Sequence, residues 1–115
     1  MSLSELCQQL ISTYHKHGWT LRRALLQSQT RAELDSQLET LFANAEIIDA
    51  EVDALWFARN SHEGREAWEL RLISRTPYAL FETFEPDEAE EDREDLRIEM
   101  QARLRDYFST SETTS

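Results

Sequence analysis

Few residues in this chain have the chemistry for catalysis or metal binding, and their spacing is unfavourable for both. The imidazoles are His15, His17 and His62. His15 and His17 lie two positions apart at the end of an apolar-striped segment, about 200° apart around a helix axis, so one metal cannot take both. His62 stands beside Glu63 in a polar stretch that reads as an exposed loop. The single thiol, Cys7, cannot form an intramolecular disulfide or a Cys-x-x-Cys pair, and no cation adjoins it in sequence to activate it. Gly18 and Gly64 are the only glycines, which excludes the phosphate loop and the dinucleotide fingerprint. No nucleophile stands at motif spacing from a base. The sequence therefore predicts neither a catalytic residue nor a metal site and calls for no cofactor.

Charge is the more informative chemistry. The 115 residues carry 12 Lys+Arg against 23 Asp+Glu, a formal net charge of −11. Residues 82–95 hold nine acids against the single base Arg93, so −8 of that excess belongs to one short stretch. These acids, Asp87, Glu88, Glu90 and Glu91 among them, precede an apolar stripe and complement the positive end of a helix dipole. They also offer a docking patch for a basic partner protein. An EF-hand loop is excluded because the stretch has no glycine. With only one lysine, the acidic chain argues against nucleic acid as a partner. Arg22, Arg59, Arg71 and Arg75 fall on predicted strands or beside them, where guanidiniums can bind a carboxylate or phosphate bidentately.

The elements that must position these groups follow from periodicity. Ser2-x-x-Glu5 is a capping box for a helix with the stripe Leu3, Leu6, Leu10, Ile11, Tyr14, ended by Gly18. Trp19 to Leu26 reads as a strand on which Arg22 and Arg23 point to opposite faces. Thr30-x-x-Glu33 caps a second helix through Phe42, and 45–53 reads as a connection with room for a short extended piece. Ala54 to Arg59, Ala67 to Ser74 and Tyr78 to Glu85 read as an antiparallel meander, and Asp87 as the N-cap of a last helix running to about Phe108.

The expected architecture is one α+β domain over residues 1–108, ordered α-β-α-β-β-β-α, followed by a flexible Ser/Thr-rich tail at 109–115. It is a two-layer sandwich, with about four mainly antiparallel strands, three helices on one face, and Glu69 and Arg71 looking away from them. Adjacent aromatic and aliphatic residues then pose a problem, because Trp56 and Phe57, like Leu80 and Phe81, must point to opposite faces. An outward Trp56 or Phe81 makes an apolar patch that a homodimer or a partner protein covers. The functional expectation is a non-enzymatic protein-binding or regulatory domain, self-associating. Its alternative is a domain that binds a small carboxylate or phosphate, or hydrolyses its ligand, through the strand arginines. The absence of an apolar span and of a basic, apolar leader predicts no membrane partner and a cytoplasmic location.

Overall fold

A computed structural model describes residues 2–113, with side chains described through Thr110. The first helix, α1 (Leu3–Lys16), starts where its capping box stands, with Ser2 Oγ accepting the Glu5 N–H at 3.2 Å. It ends before Gly18, whose φ of +86° takes the left-handed turn into β1 (Thr20–Leu26). The second helical region is broken into α2 (Ser28–Glu33), a 3-10 turn over Asp35–Gln37, and α3 (Leu38–Leu41). Four strands and a long helix follow: β2 (Glu46–Asp49), β3 (Ala54–Asn60), β4 (Glu66–Leu72), β5 (Ala79–Phe84) and α4 (Glu90–Thr113).

The α+β class holds, and the strands form one mixed sheet in the order β2-β1-β3-β4-β5. It has five strands where about four were expected. The additional one is the short extended piece within 45–53, which lies parallel to β1 at the sheet edge, while β1, β3, β4 and β5 are mutually antiparallel neighbours. The helices do not share one face. Ala54 through Ala58 of β3 are all buried, the pattern of a strand covered on both sides. Leu55 and Phe57 pack with Cys7, Leu34 and Phe42 on the α1 side, whereas Ala54, Trp56 and Ala58 pack with Met100 and Leu104 of α4 on the other. Glu69 consequently does not look into solvent, because Tyr14 of α1 donates its hydroxyl proton to it.

Three cap and end assignments change for identifiable reasons. Thr30 does not cap α2, because its hydroxyl is drawn to Asp53 Oδ2 at 2.6 Å. The Gln27 backbone N–H and side-chain amide reach the same carboxylate at 2.8 and 3.2 Å, so Asp53, from the segment before β3, anchors the start of α2. Asp87 lies in a turn closed by the Glu88 N–H on the Glu85 carbonyl, and α4 begins two residues later than an Asp87 cap implies, at Glu90. The last helix also passes Phe108 and continues to Thr113, through part of the segment expected to be a flexible tail. The remainder of that tail, 114–115, lies outside the described residues.

The largest departure in β1 is a β-bulge. Leu21 sits opposite Phe57 and Arg23 opposite Trp56, so Arg22 is an extra residue without a partner in β3. A bulge cancels one step of strand alternation. Arg22 and Arg23, expected on opposite faces, therefore both reach the α4 side, where they stand over the Trp68 ring at 5.5 and 5.7 Å.

Candidate functional site

Arginines of the sheet line two of the clefts beside it, one on each face. The first, of about 600 Å³, lies between α1 and the end of β4 and is lined by Leu6, Leu10 and Tyr14 on one wall and Arg71, Ser74 and Arg75 on the other. The apolar stripe of α1 supplies the first wall because its residues at the sheet-distal margin are only half-buried. Arg71 is the penultimate residue of β4, where it donates to the Leu72 carbonyl at 3.0 Å and the Ser74 carbonyl at 3.4 Å. Among the described residues, no carboxylate lies within 4 Å of the guanidinium of Arg71 or Arg75. Two cations thus face an apolar wall in a protein whose net charge is −11.

Tyr14 links this cleft to an aromatic row. Its ring stacks on Phe57 at 4.1 Å and meets Trp19 edge-on at 6.2 Å, and Trp19 in turn meets Phe81 edge-on at 6.2 Å. Phe81 ends the row in the edge strand β5, with 56 % of its surface exposed. Burial, then the bond and charge of Glu69, push the Tyr14 phenol well above its ordinary range, so it stays protonated and holds Glu69 as a donor.

The second cleft, of about 440 Å³, opens on the α4 face, lined by Arg22 and Arg23 of β1, Glu46 of β2, Glu66 and Trp68 of β4, and Glu90, Arg93 and Arg97 of α4. Its floor is Trp68, 4 % exposed, with Arg97 stacked 4.0 Å from the ring centroid. Arg97 is itself 2 % exposed, since it continues the buried stripe of Met100 and Leu104 toward the start of α4. Its Nη1 donates to Glu90 at 2.7 Å and Glu94 at 2.8 Å, and Arg23 grips Glu94 bidentately at 2.8 and 3.2 Å. The bond from Arg97 holds the Glu90 carboxyl below the usual range. Burial pushes Glu94 upward, but bonds from Arg23 and Arg97 outweigh it and leave that carboxyl lowered as well. Burial disfavours the Arg97 charge, and the two glutamates more than restore it.

The sequence-predicted residues divide between these places. Arg71 and Arg75 converge in the α1 cleft and Arg22 lies in the α4 cleft. Arg59 stands apart, stacked 4.7 Å over Trp19 and donating to the His17 carbonyl at 3.0 Å. Trp56 is removed from the surface: α4 covers it completely and its indole donates to Gln101 Oε1 at 2.8 Å. Phe81 remains exposed. Of the acids, Glu90 is engaged by Arg97 and Glu88 closes the turn by accepting the Glu85 N–H at 2.8 Å, while Asp87 and Glu91 are exposed.

Arg23, Arg93 and Arg97 were not singled out by sequence reasoning. Their signal was present in part, because Arg93 and Arg97 fall at i, i+4 and lead at i+7 and i+11 into Met100 and Leu104, which places two cations on the buried stripe. Cys7 is fully buried, and burial followed by the charge of Asp53 pushes its thiol up to about 11, so the thiolate is scarce at neutral pH. His15, His17 and His62 are exposed and separate from both clefts. Among the described residues, no three His, Cys, Asp or Glu side chains are grouped to hold a metal ion, and no described helix is long and apolar enough to cross a membrane. Compared with known protein families, curated proteins and solved structures, the chain has no match, so its function has to be read from its own residues.

Proposed function

We propose that the protein is a non-enzymatic protein-binding domain that captures, in the cleft between α1 and β4, a partner segment carrying an acidic side chain among apolar ones. One observation carries this reading: Arg71 and Arg75 share a cleft with Leu6, Leu10 and Tyr14 and have no carboxylate of their own within ion-pair distance. Two guanidiniums next to apolar surface complement a carboxylate flanked by aliphatic or aromatic groups, and an apolar wall gives such a segment something to bury. Phe81, at the end of the aromatic row on the same face, extends the apolar part of that surface.

Selection of peptides from a displayed random library on the whole chain tests the proposal. The expected result is enrichment of sequences pairing an acid with apolar neighbours, with binding reduced about tenfold or more in Arg71→Gln/Arg75→Gln. Enrichment of basic sequences, or binding indifferent to both arginines, overturns it. Self-association is a second reading, favoured by the exposed Phe81 in an edge strand, where an unpaired backbone edge can add a strand from another copy. Sedimentation of the wild type and Phe81→Ser across a concentration series tests it: a concentration-dependent dimer lost in the variant supports pairing through β5, and a monomer throughout rejects it.

A further inference from the structure

We propose that the cleft at the β1 bulge is a binding site for a phosphate group, with Arg22, Arg93 and Arg97 as its donors; this rests on the opposite face and is independent of the α1 cleft. Four guanidiniums line the cleft, and three of them, those of Arg22, Arg23 and Arg97, stand within 6 Å of the Trp68 ring. They are not equally satisfied. Arg23 is held by Glu94, and Arg93 donates through Nη2 to the Glu85 carbonyl at 2.6 Å and pairs through Nη1 with Glu66 at 3.7 Å, but Arg22 has no carboxylate within 4 Å among the described residues. The Nε atoms of Arg93 and Arg97 are buried without a hydrogen-bond partner, although Arg97 is 2 % exposed and cannot turn to water. A buried donor left unmatched is costly, and such an exception marks a place where another group completes the bonding.

The bulge supports the same assignment. It is the feature that brings Arg22 to the side of Arg23 instead of the opposite face, and bulges commonly re-aim a side chain toward a site. The carboxylates now opposite these cations are of two kinds. Glu94 and Glu66 are held within the cleft, Glu94 clamped between Arg23 and Arg97 and Glu66 accepting the Trp68 indole N–H 3.7 Å from Arg93, whereas Glu90 and Glu46 have 69 % of their side chains exposed and reach the arginines from the rim. A rim carboxylate displaced by an incoming anion regains water, while the buried guanidiniums cannot leave. Glu90 therefore acts as a tethered occupant that a phosphate, with more charge and three acceptor oxygens, displaces. The start of α4 at Glu90 adds the favourable end of the helix dipole.

The test is calorimetric titration of the whole chain with inorganic phosphate, ionic strength being held constant with sodium chloride, beside a titration with acetate. Saturable phosphate binding is expected, weakened about tenfold in Arg22→Gln, an exposed position whose loss leaves the fold intact by circular dichroism. Glu90→Gln removes the tethered competitor and should tighten binding several-fold. Arg103→Gln and Glu99→Gln make the same two charge changes at exposed positions outside the cleft and should leave phosphate affinity unchanged; affinities that follow the charge of these variants as they follow the cleft variants would show general charge screening and overturn the site. No saturable heat at constant ionic strength, or unchanged affinity in both cleft variants, overturns the proposal. Acetate binding as tightly as phosphate overturns the assignment to phosphate and leaves the cleft a carboxylate site.

Discussion

The two faces of the sheet are both covered by helices, yet they are closed by different physics. On the α1 face rings meet rings, Tyr14 on Phe57 and Trp19 against Tyr14, and the polar links are neutral donors on carboxylates, the Tyr14 hydroxyl on Glu69 and the Thr30 hydroxyl on Asp53. On the α4 face the helix from Met100 to Tyr107 is attached through apolar side chains, with Met100 and Leu104 buried and Tyr107 stacked on Tyr78 at 3.6 Å, but its first half is attached by an arginine and glutamate network over Trp68. The contrast shows how a chain with an acidic helix start secures it: the acids are not all solvated, and two of them, Glu90 and Glu94, bind cations rooted in the core. Buried charge is a weak source of net stability but fixes one arrangement, so the α4 face should be the more specific of the two and the more sensitive to losing a partner.

The largest effect should come from removing the platform of that network. Trp68→Ala leaves a ring-sized void and strips three guanidiniums of their stacking partner, costing about 4 kcal/mol in urea unfolding, whereas Phe57→Ala on the α1 face costs about 3 kcal/mol. Equal losses would mean the cation stacking contributes nothing beyond ring burial. Next is Glu90→Ala/Glu94→Ala, which leaves Arg97 buried and unpaired and should cost about 3 kcal/mol by the same measurement. A loss under about 1 kcal/mol would show that water already reaches the guanidinium and that the network behaves as a surface one.

The faces should also fail at opposite ends of the pH scale. Glu90 and Glu94 have folded-state pKa values lowered from 4.5, so their contribution is complete above the unfolded value and lost as pH falls through the lowered ones. Cys7, raised from 9.0 to about 11, and Tyr14, raised from 10.0, keep their protons on folding, so the α1 face is unaffected below pH 9 and loses stability between 9 and 11, where the thiol ionises in the unfolded chain but not in the fold. Unfolding midpoints measured across pH should therefore show an acid limb flattened by Glu90→Gln/Glu94→Gln and an alkaline limb reduced by Cys7→Ala. A limb that responds to the substitution on the other face would refute the division.

Much of the frame was legible because it depends on local pattern. The α1 capping box and the alternation of β4 follow from side-chain period, and the meander was placed within a residue or two at most of its ends, whereas the burial of β3 on both sides, which takes Trp56 off the surface, depends on α4 returning to the second face. What could not be read depends on contacts between distant residues. Asp53 draws Thr30 out of a cap from 23 positions away, and the bulge that reverses Arg22 is set by the pairing of β1 with β3, for which TLRRALL carries no turn residue as a warning. Of the candidate sites, the residue types were visible and their grouping was not: Arg71 and Arg75 meet because β4 ends beside α1, and Arg97 is central because a helix stripe happens to continue through a cation. The Asp53 link gives the next prediction in size. Thr30→Val should cost about 1.5 kcal/mol by leaving a half-buried carboxylate short of one donor, and should lower protection of the α2 amides in hydrogen exchange while leaving those of α4 unchanged.

The smallest expected effect on stability separates packing from binding. Among the described residues, Phe81 and Ile98 are the two large apolar side chains most open to water, 56 % and 54 % exposed, one on the α1 face and one on α4. Phe81 has an edge-on contact with Trp19 at 6.2 Å, so Phe81→Ser should lose under about 1 kcal/mol, and Ile98→Ser should fall within about 0.5 kcal/mol of the wild type. If exposure alone made these residues sticky, the two substitutions would reduce association and peptide capture equally. The geometry distinguishes them: Phe81 ends an aromatic row that runs back through Trp19 and Tyr14 to the arginine cleft, while Ile98 borders Glu51 and Arg105 around a separate depression. Phe81→Ser should therefore weaken capture of acidic, apolar peptides with almost no change in melting temperature, and Ile98→Ser should change neither. Equal responses would show that the α1 face has no claim to binding that the α4 face lacks.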